Sequence, residues 1–144
     1  MATVADLMVR DVLTVEPSDT IGEAAEKMNA ANVGAVVVLE DMVRIVGIVT
    51  ERDLLRAVAS RARAAEARVR QWMTSDPVTI GPDTSIEEAA EIMFTRNFRH
   101  LPVVKDGRPL GIVSLRLLAR WAFDQSKESV GSRGWGQVDD SPPS

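Results

Sequence analysis

The stretch Gly-Ile-Val-Thr-Glu-Arg-Asp at residues 47–53 occurs again, in shortened form, as Gly-Ile-Val-Ser at residues 111–114. Outward from this pair, the whole chain repeats itself. At an offset of 65 residues, the 38 pairs that start with Val4 and Val69 include 14 identities. The offset falls to 64 at the quoted stretch, so the first copy carries one extra residue. Two copies of one unit fill residues 1–123, and two are too few for a solenoid.

Each unit shows the same order of patterns: strand, helix, strand, strand, helix. Short β-rich runs open the units, at 12–15 and 78–80. A capping box begins the next helix at Thr20 and at Ser85, and apolar residues follow it at helical spacing. The continuous apolar runs at 35–39 and 101–104 are typical of strands buried on both faces. The sequence therefore predicts an α/β (α+β) fold in which two β-α-β-β-α repeats bury each other's apolar faces.

The expected division of the chain places the first repeat at 1–60, the second at 61–124 and a tail at 125–144. The tail is polar and rich in glycine and proline, a composition that cannot bury an apolar face, so we expect it to be disordered. Trp135 lies within this tail. Either it anchors an interaction or it is simply exposed, and simple exposure is favoured because lone apolar surface residues are common.

Composition excludes several classes of protein. The chain has no cysteine and a single histidine, His100, so we expect no metal site and no catalytic residue. The net charge of −4 argues against a general nucleic-acid binder. No apolar run approaches the roughly 18–20 residues that span a bilayer. The absence of cysteine fits a reducing compartment, and we expect a cytoplasmic protein.

The stretch 52–70 is rich in arginine, with six arginines against Asp53 and Glu66. One interpretation is an anion or nucleic-acid patch. The other is a solvated helical face whose arginine stems lie along the surface. No aromatic residues are interleaved with the arginines, so the solvated face is favoured.

Taken together, these residues resemble the CBS domain family, named after cystathionine β-synthase. The resemblance covers both units and rests on motifs that coincide in the two halves. These are the Met-x-x-Asp lead-in, the Thr-Val-x-Pro strand at 14–17, the capped Glu-Ala-Ala helix, the Arg-His-Leu-Pro-Val-Val stretch at 99–104 and the Gly-Ile-Val-Thr/Ser strand end.

The resemblance implies a regulatory binding module rather than an enzyme. Two such repeats pack about a pseudo-two-fold axis and leave two clefts, which commonly hold AMP, ADP, ATP or S-adenosylmethionine. Pairs often form homodimers and signal to a regulated protein, which is here unidentified. Two alternatives stay open: a ligand-independent dimerisation or scaffold module, and a nucleic-acid-binding regulator that uses the stretch 52–70.

The first cleft is expected around Thr50, which ends a strand and begins a helix, where free N–H groups favour a phosphate. Asp53, one turn later, suits a ribose diol, although Thr50-x-x-Asp53 also matches a helix cap that needs no ligand. Gly47 would let backbone or ligand approach closely. The residues predicted to bind the nucleotide are Thr50, Arg52, Asp53, Pro77, Val78, Arg99, His100 and Pro102. Among them, Pro77 and Val78 would form apolar walls for the adenine, and Arg99 and His100 would face the phosphates.

The second cleft departs from this pattern, because Leu117 stands where the first unit has Asp53. The residues expected to form this second, weaker cleft are Val12, Leu13, Gly34, Ala35 and Ser114. Without a carboxylate to bind ribose, we expect this cleft to be empty, to bind weakly, or to take a ligand without a ribose.

Overall fold

The computed structural model describes residues 2–130. After a 3-10 turn at Val4–Asp6, the first unit contains β1 (Thr14–Val15), α1 (Ile21–Ala31), β2 (Ala35–Glu40), β3 (Arg44–Thr50) and α2 (Glu51–Ala59). The second unit contains α3 (Val69–Trp72), β4 (Thr74–Ser75), α4 (Ile86–Arg96), β5 (His100–Lys105), β6 (Arg108–Ser114) and α5 (Leu115–Val130). The predicted repeat and mixed α/β class are confirmed.

At one edge of each sheet, residues from the other unit form backbone pairs. The first sheet has the order β1-β2-β3-β4, and its last strand belongs to the start of the second unit. In the second unit, β5 and β6 form an antiparallel hairpin. Val9, from the start of the first unit, bridges Ile112 on the outer side of this hairpin. The reciprocal exchange ties the two units into one body.

The first strand of the second unit is shorter than its sequence predicts. The β-rich run at 78–80 makes a single parallel bridge, between Ile80 and Val103, where the first unit forms the two-residue strand β1. Pro102 explains the difference in part, because it stands at the place of Val37, whose N–H donates to the Leu13 carbonyl, and proline cannot donate to a ladder.

Two glycines make room for two methionines at symmetric places. A Cβ on Gly47 would lie 2.5 Å from Sδ of Met73, and one on Gly111 would lie 2.7 Å from Sδ of Met8. Both methionines come from the lead-in of the opposite unit. The close approach expected at Gly47 is made by the Met73 side chain and by the Thr74 backbone oxygen, which would lie 3.1 Å from the same Cβ.

The helices α1 and α4 both begin at a hydroxyl cap, but the predicted capping box is complete only at Thr20, where the Thr20 N–H donates to Glu23 Oε1 at 2.8 Å. At Ser85 the serine cap forms without the return bond to Glu88. Thr20 Oγ1 accepts from the Glu23 N–H and Ser85 Oγ from the Glu88 N–H, which satisfies an orphan donor at each N-terminus. Both helices end on an asparagine in the left-handed conformation. The predicted apolar faces are buried, with Ile21, Ala24 and Met28 on α1 and Ile86, Ala89 and Met93 on α4.

The last helix extends beyond the expected boundary at residue 124. Helix α5 continues to Val130, so the first six residues of the predicted tail are helical, consistent with a run that contains no proline or glycine before Gly131. Residues 131–144, with Trp135, lie outside the described residues, and the disorder expected there stays a prediction. Within residues 2–130, no helix is long and apolar enough to cross a membrane.

Candidate functional site

A cleft of about 490 Å³ lies between the two units. The first unit contributes the end of β3 and the start of α2, and the second contributes the segment 77–78 and the connection from α4 to β5. All eight residues predicted for nucleotide binding line this cleft, together with Gly34, Ile48, Glu51, Arg56, Thr74, Arg96, Asn97 and Phe98.

Thr50 and Asp53 form the helix cap that their spacing predicts. The Asp53 N–H lies 3.4 Å from Thr50 Oγ1, and Asp53 Oδ2 accepts from the Thr50 N–H at 2.9 Å and from the Thr50 hydroxyl at 3.2 Å. Asp53 is 2% exposed and is the only buried charged residue in the described part of the chain. The cap is confirmed, whereas a role in ligand binding stays a prediction.

Two further side chains reach the same carboxylate. Arg56 Nη1 donates to Asp53 Oδ1 at 2.8 Å, and Thr74 Oγ1 lies 3.3 Å from the same oxygen. The spacing of three residues along α2 favours the Arg56 contact. Nothing in the sequence singles out Thr74, because only the pairing of β4 with β3 brings it to Asp53.

The cleft is positively charged in an acidic protein. Four arginines line it against two acidic residues, Glu51 and Asp53, which gives a net formal charge of +2 where the whole chain carries −4. Arg96 belongs to this set and lies at the end of α4. A concave site with such a lining concentrates anions.

His100 begins β5 and faces the first unit. Burial lowers its pKa, and so does Arg99, whereas Glu51 raises it. A lowered pKa leaves the imidazole neutral at neutral pH, so His100 offers one donor and one acceptor to the cleft rather than a charge.

Gly34, which the sequence placed in the second cleft, lines the first. A Cβ on this glycine would lie 2.8 Å from Oε1 of Glu51 and 3.2 Å from the His100 ring. The glycine therefore leaves space for an imidazole that arrives from the opposite unit. This contact depends on how the two units pack, which the sequence of either unit does not specify.

The region expected to form the second cleft has fewer polar groups than the first. Ser114 Oγ accepts from the Leu117 N–H at 3.1 Å, so the helix cap remains. However, Val9 stands at the place of Thr74 and Leu117 at that of Asp53. Leu13 packs against the core of the first unit, and Ala35 is buried.

The arginine-rich stretch divides between two environments. Arg52 and Arg56 line the cleft, whereas Arg61 and Arg63 are exposed. Arg63 Nε lies 3.1 Å from Glu66 Oε2, and its side chain is 82% exposed. This arrangement favours the solvated-face interpretation for the residues that follow α2.

Comparison with known proteins agrees with this architecture. The family model described as CBS domain matches residues 4–60 and 69–124. The CBS domain-containing protein YhcV of Bacillus subtilis is 37% identical over 132 residues, which is 92% of each chain. The crystal structure of a CBS-domain containing protein, ATU1752, from Agrobacterium tumefaciens superposes with a TM-score of 0.78 at 38% identity, over 84% of this chain and 99% of that one.

A third solved structure carries information on ligands. The CBS domain pair of protein MJ0100 was crystallised in complex with 5′-methylthioadenosine and S-adenosyl-L-methionine. It has a TM-score of 0.78 and 25% identity, and the similarity covers 84% of this chain and 99% of that one.

Proposed function

Because the chain belongs to the CBS domain family and carries two of its repeats, we propose that it is a sensor that binds an adenosine-containing nucleotide in the first cleft and signals to a partner protein. The observation that carries this proposal is the buried Asp53 carboxylate beside the N-terminus of α2 in a cationic cleft. A carboxylate binds a ribose diol and the arginines bind phosphates. The adenosine ligands of the MJ0100 domain pair support the same class of ligand.

The cleft offers a separate place to each part of a nucleotide. Asp53 and Thr50 face the ribose, and Pro77 and Val78 provide apolar walls for the adenine. Arg52 and Arg99 also line the cleft, and their guanidinium groups would bind the phosphates. The N-terminus of α2 adds backbone N–H groups that favour an anion.

The charge of the cleft favours phosphorylated ligands. A lining of +2 stabilises AMP, ADP or ATP, whereas the sulfonium of S-adenosylmethionine is a cation and loses this contribution. We therefore rank the adenine nucleotides above S-adenosylmethionine for this chain.

Thermal unfolding of the full chain with AMP, ADP, ATP, adenosine, S-adenosylmethionine and GTP tests the proposal. A ligand at 100 times its Kd stabilises by about 2.7 kcal/mol. Stabilisation by the adenine nucleotides above that by GTP, with one ligand per chain by calorimetry, is the expected result. No stabilisation by any adenosine compound at millimolar concentration would overturn it.

We also propose that two copies form a homodimer, through a face that includes α2. Leu55 and Val58 lie three residues apart on this helix and are 68% and 69% exposed. Two-fold pairing is the commonest way to cover such a face. Light scattering should give twice 15.7 kDa, and the double substitution Leu55→Glu and Val58→Glu should give the monomer mass. A dimer that binds none of the ligands above would instead support the scaffold alternative.

A further inference from the structure

The Asp53 carboxylate has no free acceptor site. Oδ2 accepts from the Thr50 N–H and hydroxyl, and Oδ1 accepts from Arg56 and Thr74. A carboxylate offers about four lone-pair sites, and these four donors fill them. With its side chain only 3% exposed, the carboxylate cannot meet a ribose unless one of the donors leaves.

Of these donors, Arg56 is the one that can leave at low cost. The Thr50 N–H and hydroxyl are held by the first turn of α2, and Thr74 lies on β4, which pairs with β3. The Arg56 side chain is 57% exposed and rests on a flexible stem. A half-exposed ion pair of this kind contributes little net stability, because solvent screens it and ordering the side chain costs entropy.

We propose that Arg56 is a latch on the ribose subsite, which rests on the proposed function above. Its guanidinium donates to Asp53 Oδ1, and it is released when a ribose diol binds. Arg56 also lines the cleft, so the released guanidinium meets the phosphates of a nucleotide. When a nucleotide binds, Arg56 exchanges its ion pair with Asp53 for one with a phosphate. Adenosine also displaces Arg56, but it carries no phosphate with which Arg56 could pair.

The second unit supplies a matched position for comparison. Arg120 occupies the place of Arg56, three residues after Leu117 instead of after a carboxylate. Removal of Arg120 therefore changes the net charge of the protein by the same amount and on the equivalent helix. It frees no carboxylate oxygen, because Leu117 stands at the place of Asp53.

Calorimetry with adenosine and with ATP on the full-length protein tests the latch. Arg56→Met retains the aliphatic stem and should tighten adenosine binding about 3- to 10-fold, because the ligand no longer displaces a charge-assisted hydrogen bond. ATP binding should stay equal or weaken, so that the preference for ATP over adenosine falls by roughly tenfold. Arg120→Met should match the wild type with both ligands.

A second cleft variant separates the latch from a general effect of charge. Arg52→Met removes a cleft cation whose guanidinium forms no ion pair with the Asp53 carboxylate in the described residues. It should weaken ATP binding without strengthening adenosine binding. Arg56→Gln, which keeps a neutral donor, should fall between Arg56→Met and the wild type.

Two results would overturn the inference in distinguishable ways. Adenosine binding that is unchanged or weaker in both Arg56 variants, with ATP still bound by the wild type, would refute the latch and leave the proposed function standing. Binding of neither ligand by the wild type or by the Arg56 variants would refute the proposed function and the latch with it.

Discussion

The two units build the same backbone around different side chains. In both, a hairpin strand ends at a hydroxyl residue that caps the next helix, Thr50 in one unit and Ser114 in the other. Around Thr50 lie the buried Asp53 carboxylate and Thr74, and their counterparts around Ser114 are Leu117 and Val9. Arg52 and Arg56 do have counterparts, Arg116 and Arg120. The scaffold and these arginines are present in both units, whereas the carboxylate and the threonine are present in one.

The difference extends over the whole site. Arg96, Arg99 and His100 line the first cleft, and their counterparts in the first unit are Ala31, Gly34 and Ala35. A single changed residue would weaken a site, but the loss of each of these groups removes the means to bind a ribose phosphate. The comparison therefore predicts one nucleotide per chain. Four experiments test the differences between the two units.

The largest effect is expected at the carboxylate itself. Asp53→Ala should weaken nucleotide binding roughly 10- to 150-fold, because a hydrogen bond to a charged group contributes about 1.5–3 kcal/mol. Loss of the cap should cost about 1 kcal/mol of stability. Calorimetry measures the first and chemical denaturation the second, with Leu117→Ala as the control for binding. Reduced stability with unchanged affinity would leave Asp53 as a cap alone.

The second experiment compares the two glycines beneath the methionines. Gly111→Ala should reduce the free energy of unfolding by about 1–3 kcal/mol, as in other overpacked cores. Its Cβ would lie 2.8 Å from the Val9 backbone oxygen, whereas the corresponding distance from Gly47 to the Thr74 oxygen is 3.1 Å. Urea denaturation should therefore show a larger loss for Gly111→Ala than for Gly47→Ala. The reverse order would show that the backbone at Val9 yields more easily than that at Thr74.

A third experiment attempts to restore the second cleft. Leu117→Asp alone should add weak ribose affinity, since Ser114 and Arg120 can serve the new carboxylate. Adding Val9→Thr supplies the donor that Thr74 provides in the first unit, and the double variant should bind a second adenosine more tightly than the single one, by a few-fold. The number of adenosine molecules bound per chain, measured by calorimetry, shows whether the second site has formed. No second site in either variant would mean that the missing groups near Gly34 and Ala35 are also required.

The smallest effect concerns pH and His100, which has no titrating counterpart in the first unit. Because burial lowers its pKa below 6.5 in the folded protein, the unfolded chain takes up the proton first as the pH falls. The contribution to stability is therefore complete above about pH 6.5, and it is lost as the pH drops from there toward the folded-state pKa.

Urea unfolding of the wild type and of His100→Asn, between pH 7.5 and 5.5, measures this contribution. The wild type should lose stability with acidification more steeply than the variant. Parallel profiles would show that Glu51 compensates for burial.

The part of the first cleft formed by Thr50 and Asp53 follows from the sequence, because these residues are close together along the chain. Thr50 and Asp53 are three positions apart on one helix, and the spacing alone predicts their contact. Pro77, Val78, Arg99 and His100 were expected there because the resemblance to the CBS domain family implies that the start of one unit faces the end of a strand in the other. Gly34, expected in the second cleft, lines the first, because its lack of a side chain leaves room for the His100 ring.

The sequence by itself determined the repeat, the order of strands and helices, the capped helix starts and the absence of a carboxylate at Leu117, because each depends on spacing along the chain. Only the tertiary structure decided that Thr74 reaches Asp53 and that Gly34 receives the His100 ring. It also decided that the lead-in of each unit completes the sheet of the other. These contacts join residues that are distant in sequence, and they depend on side-chain volume and hydrogen-bond capacity at the place where the two units meet.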